Sequence, residues 1–242
     1  MVRHTSVVAT LLDDGSWEVQ GRRLTLPVRI TDATAALATY LVRTSAASEL
    51  VAGTGLSLVS VAGRTPLVLA FITYRAGDLG SYHEVAVALL GRHRRRIGPY
   101  IHQMAVTQTF TLEAGRALWG LPKWLARAEL DITGPAATCR LSDSSGTPVL
   151  TAALRTLHRR IPLTVPGALT ALAPHADTVL ASRLRGRIGG LRLGLRGATV
   201  ELTPGHPMAD ELRALGLPRP PLATLTAEHI EFDMAAAVPT PR

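Results

Sequence analysis

Alternating or β-rich apolar runs recur along much of the chain, over residues 6–12, 16–30, 56–62, 67–74, 82–90, 100–110, 127–132, 149–157, 179–188, 191–202 and 229–233. Successive side chains on a strand point to opposite faces, so these runs predict a fold built largely of strands. Helical signals are few. Asp32 stands where an N-cap would, before an alanine-rich stretch to Val42; Thr111 can cap a short turn to Leu118; and the segment from Pro207 to Leu215 runs into Gly216, a common helix stop. Many strands with few helices predict a mainly β (α+β) chain, an antiparallel barrel or packed sheets with a few short helices, and not an alternating βαβ fold. No internal repeat or long linker divides the 242 residues, which read as one domain with residues 235–242 as a short frayed tail.

Composition supports a buried core, with 47% hydrophobic and 18% charged residues. No apolar run reaches the ~18 residues of a membrane-spanning helix. The first residues lead directly into a strand-like segment, so a soluble, cytoplasmic protein with no membrane partner is expected. Cys139 is the only cysteine, which excludes an intrachain disulfide and a cysteine-rich zinc site. The eight histidines lack ligand spacing beside a carboxylate, so no metal is expected. His102, close to the motif described below, reads as a core or rim histidine.

The net charge of +8 raises nucleic acid as a partner. Aromatic residues make up only 4% of the chain and do not interleave with the arginines of residues 92–96 or with Arg183, Arg185, Arg187, Arg192 and Arg196. No nucleic-acid partner is therefore expected. The second group alternates with Leu184, Ile188, Leu191, Leu193 and Leu195 around Gly189-Gly190, the pattern of a β-hairpin with one solvated, arginine-bearing face.

Of the 26 basic residues one is a lysine, Lys123. Arginine serves surface charge as well as lysine does but cannot act as an amine nucleophile, because its guanidinium stays protonated. Pro122 fixes the backbone before Lys123, while Trp119, Leu121, Trp124 and Leu125 supply an apolar wall that disfavours the charged ammonium. The second candidate is Glu84, on a strand whose alternation puts Tyr82, Glu84, Ala86 and Ala88 on one face and His83, Val85, Val87 and Leu89 on the other. Both faces are largely apolar. A carboxylate there must pair with a cation or take up a proton, either as a structural ion pair or as an acid or base.

The run Ile101-His102-Gln103-Met104 through Glu113-Ala114-Gly115-Arg116-Ala117-Leu118-Trp119-Gly120-Leu121-Pro122-Lys123-Trp124-Leu125 resembles the acetoacetate decarboxylase-like family, in the segment where a Gly-Arg stretch leads to Pro-Lys and the Schiff-base lysine. Tyr82-His83-Glu84 is similar to the strand that carries that family's active-site glutamate. Gly21-Arg22-Arg23 resembles the stretch with its active-site arginine, with Arg22 the better match and Arg23 the alternative. The resemblance implies a barrel or cone of mostly antiparallel strands, an interior pocket, a homo-oligomer and no cofactor beyond the covalent Schiff base. Two positions depart from the pattern. Trp124 stands where decarboxylases have a second lysine, so activation would come from desolvation or from Arg22 or Arg116. Ala117 stands where a glutamate follows the Gly-Arg pair. Both changes point away from acetoacetate and toward a larger or more hydrophobic oxo-acid.

The expected function is thus a Schiff-base lyase for a small or medium oxo-acid, working by decarboxylation or aldol-dehydration chemistry. Lys123 and Glu84 are the catalytic candidates, and Arg22, Tyr82, Arg116, Trp119 and Trp124 the substrate-binding ones. The alternatives are a cyclase or isomerase of secondary metabolism on the same fold that forms no imine, and a non-catalytic basic binding module.

Overall fold

A computed structural model describes residues 9–176 and 178–241. A small N-terminal sheet comprises β1 (Thr10–Leu11), β2 (Trp17–Val19) and β3 (Arg22–Leu24). Residues 6–8 of the first expected strand, the first residues read for a leader, and the last residue of the expected tail lie outside the described residues. The long strands follow: β4 (Val28–Arg43), β5 (Ser57–Leu58) after the short helix α1 (Thr44–Ser48), β6 (Arg64–Gly77), β7 (Tyr82–His93) and β8 (Arg96–Val106). Helix α2 (Thr109–Trp119) leads into β9 (Lys123–Thr133), β10 (Ala136–Asp143) and β11 (Pro148–Arg155). The chain continues as β12 (Val165–His175), β13 (Thr178–Gly189), β14 (Arg192–Gly194), β15 (Ala198–Leu202), α3 (Pro207–Ala214), β16 (Ala223–Met234) and β17 (Val238–Pro241).

Seven strands close on themselves in the order β8-β12-β13-β16-β4-β6-β7 and back to β8. The barrel is mixed, because β8 meets β12 and β9 in parallel on one edge while its other edge pairs β7 antiparallel. From β8 the sheet also runs outward through β9, β10, β11 and β15. Each barrel strand shared by the two layers is therefore buried on both faces. On β7, Ala86 and Ala88 belong to the core inside the barrel. Val85, Val87 and Leu89 pack outward with Leu141, Leu150, Leu154 and Met208 of the second layer.

The alanine-rich segment after Asp32 is the largest departure from expectation. It is not a helix but the middle of the 16-residue β4, hydrogen-bonded along β6 on one edge and β16 on the other. The alanines are there because both faces are enclosed: Ala33, Ala35, Ala36 and Ala38 are all buried. Two full ladders of backbone hydrogen bonds and burial on both sides outweigh helix propensities worth a few tenths of a kcal/mol per residue, roughly. Asp32 caps nothing. It forms a two-pronged pair with Arg75, Nε to Oδ2 and Nη2 to Oδ1 each at 2.6 Å, which holds its carboxyl below the usual range.

Three smaller differences have equally local causes. Gly189-Gly190 does not turn a hairpin: β13 and β14 pair successive stretches of the same neighbour, β16, although Arg183, Arg185 and Arg187 do share one exposed face. The segment expected as a frayed tail forms β17 against Thr178–Ala181 of β13. Strands β10 and β12 escaped the pattern. The inward residues of β10 are the small Ala137 and Cys139 beside Leu141, and β12 carries Pro166 and Pro174, tolerated where one edge is paired only at Leu172.

Closure of the barrel rests on a close backbone approach at Gly98, where a Cβ would stand 1.9 Å from the Thr170 carbonyl oxygen of β12. We predict that Gly98→Ala costs roughly 3 kcal/mol, because backbone on both sides must move. A drop in the urea midpoint checks this. Burial pushes the Cys139 thiol up to about 12. Its stabilising effect is therefore complete below the unfolded thiol's range and is lost as pH rises through it toward 12. At neutral pH a thiol reagent should label Cys139 only when the protein unfolds.

Candidate active site

Helix α2 ends and β9 begins in a turn whose geometry is fully accounted for. Gly120 adopts φ 63°, its N–H donates to the Arg116 carbonyl, and the Leu121 N–H donates back to the Gly115 carbonyl, the closing bonds of a left-handed helix stop. Arg116 then reaches across the turn, its Nε donating to the Lys123 carbonyl at 2.8 Å. Lys123 is thereby fixed as the first residue of β9, opposite Met104 of β8, with its side chain inside the barrel and 3% exposed.

Thr111 and Gly115, one helical turn apart on α2, face that side chain. The amine donates to Thr111 Oγ1 at 3.0 Å. A Cβ on Gly115 would lie 2.5 Å from both Cδ and Cε of Lys123, so this glycine is the space the lysine occupies. Thr111 is thus not the expected cap. Helix α2 begins at Thr109 with Gln108 at its N-cap and no side-chain cap, which leaves the Thr111 hydroxyl free to turn inward. We predict that Thr111→Val destabilises the protein by about 1–3 kcal/mol, because the buried amine loses one of its hydrogen-bond partners. A drop in the urea midpoint reads this out.

Glu84 of β7 approaches from the other side. Its Oε2 lies 3.1 Å from Lys123 Nζ, and its Oε1 accepts from Tyr74 OH at 3.1 Å. Tyr74 on β6 stands directly opposite Tyr82 on β7, the rings stacked at 4.3 Å, and Lys123 Nζ lies 5.3 Å from the Tyr82 ring centre. Burial first, then the Glu84 carboxylate, holds both phenols well above their ordinary range, so both remain protonated and Tyr74 can donate. Tyr74 carried no signal in the sequence beyond its place in an apolar strand. Its role arises from cross-strand register.

These groups line one wall of an apolar cavity of about 260 Å³ inside the barrel. Ile30, Ala70, Ala86, Ala88, Met104 and Met234 make up much of the remainder. Trp119 lines it as well, its indole N–H donating to the Ala235 carbonyl at 2.9 Å. Of the expected site residues, Lys123, Glu84, Tyr82 and Trp119 are thus brought together. Three are not. Trp124 follows Lys123 on a strand and so points away from the cavity, packing into the second layer with its ring 4.8 Å from His206. Arg116 holds the Lys123 backbone while its side chain lies outside the cavity lining. Arg22 also lies outside that lining, exposed, with its guanidinium 3.9 Å over the Phe110 ring and bonded to the Asp78 carbonyl. Arg23, the alternative, is paired with Asp14. His102 bridges Tyr100 and Glu211 at the rim of α3, away from this cavity. Among the described residues no cluster of His, Cys, Asp and Glu could hold a metal ion.

Comparison with known proteins agrees with this architecture. No curated protein matches the chain. Among solved structures, acetoacetate decarboxylase from Legionella pneumophila superposes with a TM-score of 0.69 at 16% identity, covering 90% of each chain. The enduracididine biosynthesis enzyme MppR, in a complex with pyruvate, superposes with a TM-score of 0.66 at 17% identity, covering 94% of each chain. An acetoacetate decarboxylase-like enzyme from Sphingomonas wittichii gives 0.60 at 16%, over 90% of this chain and 94% of its own. With the acetoacetate decarboxylase family model matching residues 19–237, nearly the whole length over which the barrel and its buried Lys123 are built, the chain belongs to the acetoacetate decarboxylase family.

Proposed function

We propose that the protein is a Schiff-base-forming lyase acting on a carbonyl compound through Lys123. The observation that carries this reading is the placement of the chain's single lysine: buried, inside an apolar cavity, with a carboxylate at 3.1 Å and a hydroxyl at 3.0 Å. No structural need for a buried ammonium explains that arrangement, since a well-packed apolar pair would stabilise the barrel at least as well.

In the proposed mechanism Glu84 accepts a proton from the ammonium, and the freed nitrogen attacks the carbonyl carbon. The C–N bond forms as the carbonyl oxygen takes up a second proton from the nitrogen. Glu84 then returns its proton to that oxygen, which leaves as water to give the iminium, whose positive charge faces the Glu84 carboxylate in place of the ammonium's. Electrons from a bond at the adjacent carbon flow into the iminium as that bond breaks, whether to a carboxylate, an aldol carbon or a proton; after proton loss the enamine can in turn expel a β-hydroxyl, which takes up a proton and leaves as water, to give a conjugated iminium. Glu84, held by the Tyr74 hydroxyl, would move protons to and from the resulting enamine. The solved relatives named for acetoacetate decarboxylation and for binding pyruvate support carbonyl substrates in this fold.

Borohydride reduction in the presence of carbonyl compounds, followed by intact mass and peptide mapping, tests the reading. A single lysine leaves little background. The expected result is an adduct on Lys123. Failure across acids, ketones and aldehydes with the protein folded would leave the fold as a cyclase or isomerase scaffold without an imine.

A further inference from the structure

The arginines of this chain are unevenly placed, and the densest group lies at the end of the barrel remote from Glu84 and Lys123. Strands β4 and β6 meet there with Arg43 directly opposite Arg64, and β7 turns into β8 over residues 92–96. Residues 41–64 and 91–98 build this end. They contain six arginines, Arg43, Arg64, Arg92, Arg94, Arg95 and Arg96, against one acid, Glu49, and so carry +5 of the chain's net +8. All six are exposed. Arg92 stands eight residues along β7 from Glu84, roughly 27 Å in an extended strand. Elsewhere arginines find carboxylates: Arg29 pairs with Asp233, Arg75 with Asp32, and Arg160 and Arg192 with Glu228. Among the described residues no ion pair includes Arg43, Arg64, Arg92, Arg95 or Arg96. Like charges directly opposite on neighbouring strands destabilise a sheet, so the Arg43–Arg64 pair is a cost that no acidic neighbour offsets and that a negative surface would.

Two apolar side chains stand out among these charges. Val61 is 73% exposed on the turn before β6, and Ile97 is 51% exposed beside Arg96. Both tips are two-residue turns. Val61 and Arg64 exchange backbone hydrogen bonds around Ala62 and Gly63, at φ 49° and 71°, and Arg94-Arg95 joins His93 to Arg96 with Arg94 at φ 55°. Turns with positive φ match the twist of the strands they join, so these tips are already ordered and lose little freedom when they dock. The combination of charge and exposed apolar groups sorts the partner. A nucleic acid would find no aromatic side chain in either segment to stack on and no arginine-bearing helix to lie in a groove, and it would gain nothing from Val61 or Ile97. An anionic bilayer uses both features, since its headgroup phosphates attract the arginines while its interfacial zone takes up short apolar side chains.

We infer that this end of the barrel is a peripheral docking surface for an anionic lipid membrane, with the arginines at the headgroups and Val61 and Ile97 in the interface, and with the end that carries Glu84 turned away from the lipid. The sequence-based expectation of no membrane partner rests on the lack of a spanning segment, and among the described residues no helix is long and apolar enough to cross a membrane. Docking at the interface needs none. The inference does not depend on imine chemistry at Lys123.

The experiment sediments the full chain with vesicles of phosphatidylcholine alone and of phosphatidylcholine with an equal share of phosphatidylglycerol, at low and high salt. The expected result is binding to the anionic vesicles only, weakened by salt as exposed charges are screened. Arg95→Gln and Arg96→Gln should each weaken it about fivefold, and Ile97→Ser about tenfold. All three positions are exposed at a turn, so the variants should fold, which the melting temperature checks. Arg185→Gln, an exposed arginine on β13, is the control and should change binding far less. No binding to the anionic vesicles would overturn the inference. So would a loss in Arg185→Gln equal to that in Arg95→Gln, which would reduce the effect to net charge. Binding to duplex DNA as tight as to the vesicles, and indifferent to Ile97→Ser, would overturn it in favour of a polyanion.

Discussion

Lys123→Met is expected to abolish borohydride trapping of any carbonyl compound and to lower turnover by more than roughly 10³-fold, because no other amine side chain exists in the chain to replace it. It is also expected to destabilise the fold. Methionine fills the same volume, so little is lost in packing, but Glu84 is left 3% exposed with only the Tyr74 hydroxyl. Breaking a buried pair from one side costs roughly 3–5 kcal/mol, most of it the penalty of the charge left behind. The double variant Lys123→Met, Glu84→Gln should recover much of that stability while remaining inert, since it removes both charges together. Urea unfolding of the single and double variants measures the coupling. A single variant as stable as the parent would mean that the pair is not enclosed as described.

Gly115→Ala is expected to separate stability from activity. The added Cβ would meet Cδ and Cε of Lys123 at 2.5 Å, too close for either atom to stay. The side chain can move, but only by giving up its hydrogen bond to Thr111 or its position beside Glu84. A displacement of about 1 Å in a reacting group costs on the order of 10²-fold in rate. The fold should lose much less than in Lys123→Met, because both charges stay in the cavity and alanine in a helix interior is better than glycine by roughly 0.5–1 kcal/mol, which offsets part of the local strain. A trapping rate down by about 10²-fold with a melting temperature lowered far less than that of Lys123→Met is the expected outcome. An unchanged rate would show that α2 does not set the position of the amine.

The two predictions concern different sides of the same device. Strand β9 presents the lysine and β7 its carboxylate, with β8 between them, while α2 supplies the floor. The Arg116 bond to the Lys123 carbonyl ties that floor to the strand. The Gly-Arg-x-x-x-Gly-x-Pro-Lys element is therefore a structural unit: Gly115 gives room, Arg116 clamps the backbone, Gly120 stops the helix and Lys123 enters the cavity.

Much of this was written in local pattern. Alternation along β7 places Glu84, Ala86 and Ala88 on one face, and that face does line the cavity, because period two is a property of the extended backbone itself. The lone lysine in an arginine-rich chain marks Lys123 without reference to any partner. Tertiary structure decided the rest. The alanines of β4 become strand only because two neighbours and two enclosed faces await them, which no local window contains. Trp124 turns away because Lys123, one residue before it, faces in. Arg22 stays outside the cavity because β3 lies in a separate small sheet. The contact between Glu84 and Lys123 spans 39 positions of sequence, 123 minus 84, and depends on the order β7-β8-β9. Sequence determines which face a side chain takes and which groups can react. Which faces meet is settled by strand order and register, since these are fixed by the sum of packing over the whole barrel.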